Sequence, residues 1–422
     1  SGFESPTLRQ IPDVPSKQSC HTHDTGLKVR FFFGAIMFDI LIRNALIIDG
    51  TGVPGFHGDI GVSGDTIVET GSLEDFPAKH TIDAQGCVAA PGFIDAHSHE
   101  DLSILVQPDS SSKLLQGVTT VVTGMDGLSL APIDEGNIPL WKRYLAGLNG
   151  FPEKEWTWRT FGEYLDAVDA AHPSVNLACY AGIGAIRLAV MGLDDRPAEP
   201  DEMERMESIA RECMNEGAVG VSAGLIYPPN QFQTTDEIAR ITASARPFGG
   251  VFNVHLRSEG DRLFEAMEEA FEIGRRSETP VIITHFKVMG KRNHGLAGLA
   301  LDMIDTAIRD GIDIGLEQYP YTAASTTFQS VIPPWHLAGG TDGLMKSLRE
   351  RRDEVKGDIL ERNDWENWSL AIGWENIVVS SSPSGRNADA VGKSVAETAA
   401  RRGDDDPADT AIDALAAAFN AE

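Results

Sequence analysis

After position 91 the sequence repeats one pattern, in which a short apolar run is followed by a longer amphipathic stretch and then by another apolar run. Seven such runs stand at 87–97, 119–122, 175–180, 218–226, 251–255, 281–285 and 312–319. Helical stretches separate most of them. Within 262–276, Leu263, Ala266, Met267, Ala270 and Phe271 fall on one face at helical spacing. Strands that read as continuous apolar runs are expected to be covered on both faces, and helices between them supply the cover. The expected class is therefore α/β with a parallel sheet. Closing such a sheet into a barrel takes eight strands, and no eighth run follows.

The text before position 91 has a different grain. Short β-like segments at 39–42, 45–48, 59–62, 66–68 and 81–83 are split by turn chemistry such as Asp49-Gly50-Thr51-Gly52 and Ser63-Gly64-Asp65, which predicts a small β-domain over 37–90. Residues 1–36 show no periodicity, and their apolar run at 29–36 is too short to span a membrane. Met37 is the expected natural start. The expected map is thus an extension at 1–36, the β-domain at 37–90, barrel strands one to seven within 91–330, and an insertion or lid with helices at 331–422. That last region holds a charged helix at 344–361, a tryptophan-rich stretch at 365–374 and an alanine-rich helix at 408–421.

Composition excludes some partners. A net charge of −28 argues against nucleic acid or an anionic membrane, either of which needs a basic surface. Cys20, Cys87, Cys179 and Cys213 have no CxxC spacing, so neither a disulfide framework nor a cysteine-rich zinc site is expected, and a reducing, cytoplasmic setting is. No phosphate-binding glycine motif is present.

The chemistry gathers at the ends of the runs. In PGFIDAHSHE, residues 91–100, His97 and His99 are two apart, and in an extended chain such residues point the same way. A second HxH, in CHTHD at 20–24, sits in a polar tail and is read as accidental. Asp126 follows the second run, His255 ends the fifth and His285 ends the sixth. Each alone has a plainer explanation, as a core histidine or a turn aspartate. Four strand ends agreeing on one face point to a borderline cation such as Zn²⁺, and two ions can share a bridging ligand.

With the stretches PGFIDAHSH, LLQGVTTVVTGMDGLSLAP, GVSAGLIYPP, VHLRSEG, THFKVMGKRNHG and EQYPYTA, the chain from Met37 onward resembles the N-acyl-D-amino-acid deacylases (D-aminoacylases) of the amidohydrolase superfamily. The resemblance implies a (β/α)8 TIM-type barrel with a β-sandwich built from the two chain ends. It also implies zinc-dependent hydrolysis of a small N-acyl amino acid to a D-amino acid and a carboxylate. One tightly bound Zn²⁺ would be held by Asp126, His255 and His285, with a second, weaker ion at His97 and His99. The family commonly has cysteine where this chain has Asp126, and the fourth run, VGVSAGLIYPP, lacks the lysine that bridges metals in superfamily relatives, so Asp126 is the expected bridge. Lys287, Tyr227, Arg257 and Tyr319 are the expected contacts of the substrate carboxylate. The superfamily's catalytic aspartate follows an eighth strand, and Asp404, Asp405 and Asp406 do not stand behind an apolar run. Asp95 is as readily a structural acceptor as a catalytic group. The expectation is a family member cut short before that strand, poorly soluble or oligomeric through its open edges, and inactive. The rival readings are a cyclic-amide hydrolase of the dihydroorotase or hydantoinase type and an inactive fragment.

Overall fold

The computed structural model describes residues 37–150 and 152–419; the extension at 1–36, its CHTHD pair and its apolar run lie outside the described residues. The chain divides into two compact units, one ending at Pro91 and the other beginning at Gly92.

The described residues of the first unit form one mixed sheet. Strand β1 (Phe38–Ile47) pairs antiparallel with β2 (Phe56–Ser63), which pairs antiparallel with β3 (Thr66–Gly71). On its other side β1 takes β4 (Ala78–Asp83) and the short β5 (Val88–Ala89), both parallel to it. The segments 39–42 and 45–48, expected as two strands, form this single β1. Its register shifts between Ile42 and Ala45, where Asn44 takes a left-handed φ of 57°. A bulge of this kind bends a strand without ending it, and so mimics a turn in the sequence. Buried Asp59 fixes the bend by accepting the Asn44 N–H at 3.0 Å and the Leu73 N–H at 2.9 Å.

Among the described residues the second unit holds eight strand segments, paired in parallel. One sheet runs β6 (Phe93–Asp95), β7 (Val118–Thr123), β8 (Asn176–Cys179). The other runs β9 (Ala181–Gly182), β10 (Gly220–Gly224), β11 (Val251–His255), β12 (Val281–Ile283), β13 (Ile314–Leu316). Segments β8 and β9 are one strand interrupted at Tyr180, whose N–H still donates to the Thr123 carbonyl at 3.0 Å. Seven strands therefore carry the ladder. Helices separate most of them, among them Pro200–Asn215 between β9 and β10, Leu263–Ser277 between β11 and β12 and Ala297–Arg309 between β12 and β13. Leu263, Ala266, Met267, Ala270 and Phe271 are all buried, as their spacing predicts.

The first run departs from expectation. It is not one strand buried on both faces: Val88 and Ala89 belong to the small sheet, and Phe93 and Ile94 in β6 remain 62% and 65% exposed. Among the described residues β6 pairs only with β7 and β13 only with β12, so no strand covers their outer edges.

Residues beyond 330 build a second core. Val331, Ile332, Leu344, Val355, Ile359, Val395, Ala411 and Ile412 cluster apart from the strands' own core. The stretch 344–361, expected as one helix, is two, Gly340–Glu350 and Arg352–Glu361, because Arg351 at φ −139° leaves the helical region between them.

Candidate metal centre

Asp126 occupies a tight turn after β7. Gly124, Asp126 and Gly127 all take left-handed backbone, with φ of 73°, 57° and 72°. Aspartate is among the few side chains that tolerate this region. Both glycines are required, because a Cβ on Gly124 would lie 2.1 Å from the Tyr180 carbonyl oxygen and one on Gly127 would lie 2.4 Å from the Asn230 amide. Ser222 of β10 ties the turn down: its buried hydroxyl donates to the Gly124 carbonyl and accepts the Gly127 N–H at 3.0 Å. Ser222→Ala removes one donor and one acceptor at once. It is expected to cost about 1–3 kcal/mol, read by denaturant unfolding. A cost near zero would mean that the turn holds itself.

The turn places the Asp126 carboxylate between two pairs of histidines. Its Oδ2 lies 3.4 Å from His99 Nε2 and 3.9 Å from His97 Nε2, and its Oδ1 lies 4.0 Å from His255 Nδ1 and 3.9 Å from His285 Nε2. In each of the two sets, His97, His99, Asp126 and Asp126, His255, His285, one ligand atom per residue falls within 4.8 Å of the others. His97 and His99 sit just past the end of β6 in loop backbone, yet both rings reach Asp126.

Burial alone would raise the Asp126 carboxyl, but the hydrogen bond from His99 and the surrounding imidazoles outweigh it and hold the group below the usual carboxylate range. Burial, followed by the charge of His285, pushes His255 down to about 3, so that imidazole is neutral and able to ligate. Asp126 Oδ1 and both ring nitrogens of His255 are buried without a hydrogen-bond partner. Unpaired buried polar atoms are costly, and a cation between Asp126 and His255 would satisfy Oδ1 and one of the two ring nitrogens.

Two carboxylates at this mouth stand in the stretches VHLRSEG and EQYPYTA, but no role is expected of them there. Glu259, four residues past His255, is buried, and its Oε1 accepts from His285 Nδ1 at 2.8 Å and from Lys287 Nζ at 2.6 Å. Glu317, the first residue past β13, meets His97 Nδ1. Sequence spacing could not find them, since Glu317 and His97 are 220 positions apart.

Of the residues expected to meet a substrate carboxylate, three stand beside the histidines. Lys287 Nζ is 3.0 Å from His285 Nδ1 and 5.5 Å from the centre of the Tyr319 ring. The Tyr227 ring packs edge-on against His255 at 5.1 Å, and its hydroxyl meets Thr326 at 2.8 Å. Arg257 is placed differently. Its guanidinium grips Glu269 twice, at 2.8 and 2.9 Å, and donates to the carbonyls of Gln231 and Gln233. Asp95 accepts Lys113 Nζ at 2.5 Å and the His97 N–H at 3.2 Å, which is the structural alternative for it. Asp404 and Asp406 cap the final helix by accepting from Thr410 and the Ala408 N–H.

Glu366, from the tryptophan-rich stretch, is 7% exposed and accepts the Glu259 N–H at 3.2 Å. Burial, with the charge of Glu259 adding to it, pushes its carboxyl up from 4.5 to about 7. Between those two values the folded state keeps a proton that the unfolded chain has released, so stability falls as pH rises through that window. Glu366→Gln is expected to exceed the parent in stability above pH 7 by up to about 3 kcal/mol. Below the unfolded value the two should converge. Equal stability at pH 8, measured by denaturant unfolding, would show that the charge is already compensated.

Among the described residues no helix is long and apolar enough to cross a membrane, and Cys87, Cys179 and Cys213 are free thiols. Comparison with known proteins agrees with the geometry. The chain is 41% identical over 290 residues to the D-aminoacylase of Alcaligenes xylosoxydans xylosoxydans, an alignment covering 68% of this chain and 58% of the relative. It thus spans rather more than half the length of that curated relative. The crystal structure of a D-aminoacylase superposes with a TM-score of 0.70 at 34% identity, covering 90% of this chain and 69% of the other. An N-acyl-D-glutamate deacylase from Bordetella bronchiseptica, solved with zinc and a phosphonate inhibitor, gives a TM-score of 0.73 at 30% identity, covering 90% and 70%. The pattern of the Amidohydrolase family matches residues 80–347, well over half of the chain. Parallel strands ending in histidines around one carboxylate, and a family pattern running across nearly all of them, lead to one assignment: this chain belongs to the amidohydrolase family.

Proposed function

We propose that the chain carries the metal centre of an N-acyl-D-amino-acid deacylase, acting on a linear amide to give a D-amino acid and a carboxylate. The observation that carries this reading is Asp126, whose two oxygens face two different histidine pairs while Oδ1 and both His255 nitrogens lack partners. Asp126, His255 and His285 would hold one ion, and His97 and His99 a second, with Asp126 shared. When bound, a divalent metal such as Zn²⁺ supplies Lewis acidity to the scissile carbonyl and acidifies a water. Both positions offer only nitrogen and oxygen donors, so selection for zinc over Mn²⁺ or Co²⁺ is weaker than a thiolate would give.

The residues around the centre supply recognition. Lys287 stands in the histidine cluster over the Tyr319 ring, and its ammonium, paired with Glu259 at 2.6 Å, has further N–H donors to offer a substrate carboxylate. Tyr227 presents a hydroxyl beside His255. Arg257, held by Glu269, is left out of the reading. A lysine bridge of the cyclic-amide type finds no support, since β10, GVSAG, carries no lysine. We place the protein in the cytoplasm, where the exposed thiol of Cys87 persists reduced.

The test is metal and ligand binding. The purified full chain is expected to retain at least one divalent ion through dialysis. The Co²⁺-loaded form is expected to change its visible spectrum with N-acetyl-D-leucine and not with the L-enantiomer. Protein that carries no metal and takes up none at neutral pH would sink the reading. A spectrum that answers to both enantiomers would sink the D-specific part alone.

A further inference from the structure

The histidines fall into two kinds. His97 and His285 each meet a carboxylate through Nδ1, Glu317 for the first and Glu259 at 2.8 Å for the second. Each then turns Nε2 to Asp126 at 3.9 Å, one toward Oδ2 and the other toward Oδ1. His99 and His255 are not held this way. His99 meets Asp126, and His255 has no hydrogen-bond partner on either nitrogen among the described residues. Each oxygen of Asp126 thus faces one histidine braced by a second carboxylate and one that is not.

We propose that Glu259 and Glu317 are twin positioning residues, each fixing the ring of one ligand histidine and the tautomer that leaves Nε2 unprotonated toward Asp126. This rests on the metal reading above. A carboxylate that accepts from Nδ1–H sets which nitrogen keeps its lone pair, stops the ring from turning, and makes it a stronger donor. The two braces are unequal. Glu259 also carries the Lys287 ammonium at 2.6 Å, which draws electron density from it, whereas among the described residues the ion-pair partner of Glu317 is His97 alone. Glu317 is therefore the stronger brace, and the His97 and His99 position depends on it more than the His255 and His285 position depends on Glu259.

The experiment is a Co²⁺ titration of the full chain against a competing chelator. His99→Ala and His255→Ala mark which binding step belongs to which pair. Loss of a residue that braces a ligand weakens metal affinity by roughly 10–100-fold. Glu317→Gln is expected to weaken the His97 and His99 step alone, toward the upper end of that range, and Glu259→Gln the other step alone, toward the lower end. Glu317→Ala and Glu259→Ala should each lose more than the glutamine variant at the same position, because the amide oxygen still accepts from Nδ1–H. Two steps in the parent that neither glutamine variant moves would overturn the proposal. So would glutamine and alanine variants that lower the melting temperature alike and shift both steps equally, since that is the mark of a purely structural role. A parent that binds no Co²⁺ would overturn the metal reading instead.

Discussion

Asp126→Ala is expected to strip the protein of at least one metal ion and to loosen the other by more than about 100-fold, since deletion of a ligand should exceed the cost of losing a group that merely orients one. A single carboxylate faces both histidine pairs, so its removal is not expected to be confined to one of them. Alanine also fits the left-handed turn poorly, and Asp126→Asn separates the two causes. Asparagine tolerates φ near 57° and keeps an oxygen, but it lacks the charge. Metal loss in both variants assigns the effect to the carboxylate. Asp126→Cys is expected to keep a metal and to prefer zinc over Mn²⁺ more strongly, because thiolate is the softer donor. Equal metal content in the parent and the alanine variant, measured by atomic emission after dialysis, would show that Asp126 is only a turn residue.

The second large effect is on turnover. The chain as it stands is expected to hydrolyse no N-acetyl-D-amino acid at a measurable rate, even when loaded with metal. A deacylase needs a carboxylate free to take a proton and return it to the leaving nitrogen. The described acids around the histidines are engaged: Asp126 with the histidines, Glu259 with His285 and Lys287, Glu317 with His97, Asp95 with Lys113. Asp101, pushed up to about 6 by burial, accepts the Gly124 N–H at 2.9 Å. The open edges of β6 and β13, with Phe93 and Ile94 exposed, also favour association that grows with protein concentration. Clean turnover by a monomeric protein would refute both expectations. Glu317 would then be the first acid to test, by its glutamine variant.

The sequence shows the candidate metal ligands because they lie at strand ends, and strand ends are marked by the apolar runs before them. His97, His99, Asp126, His255 and His285 could all be read in this way, and the structure brings all five together. Glu259, Glu317 and Glu366 could not. Each gains its role from a neighbour brought in by tertiary packing, and a carboxylate in a loop has no signature of its own. Arg257 misled for the same reason in reverse, because the residue that holds it, Glu269, lies on the following helix. The seven strands were legible from hydrophobic runs. The exposure of β6 was not, since an apolar run records what a strand could bury and not what covers it.

The separate core at 331–419 gives the molecule regions that need not open together. None of its buried apolar members is shared with the core beneath the parallel strands. Amide hydrogen exchange should therefore be regional. A ligand held only by the folded strands slows their opening by a factor that rises with its concentration over Kd, about 100-fold at 100 times Kd. The amides of Val121, Val221 and Val254 should slow on metal loading, while those of Leu344, Ile359 and Ile412 should exchange as before. Occupancy of the centre could then be followed residue by residue without a turnover assay.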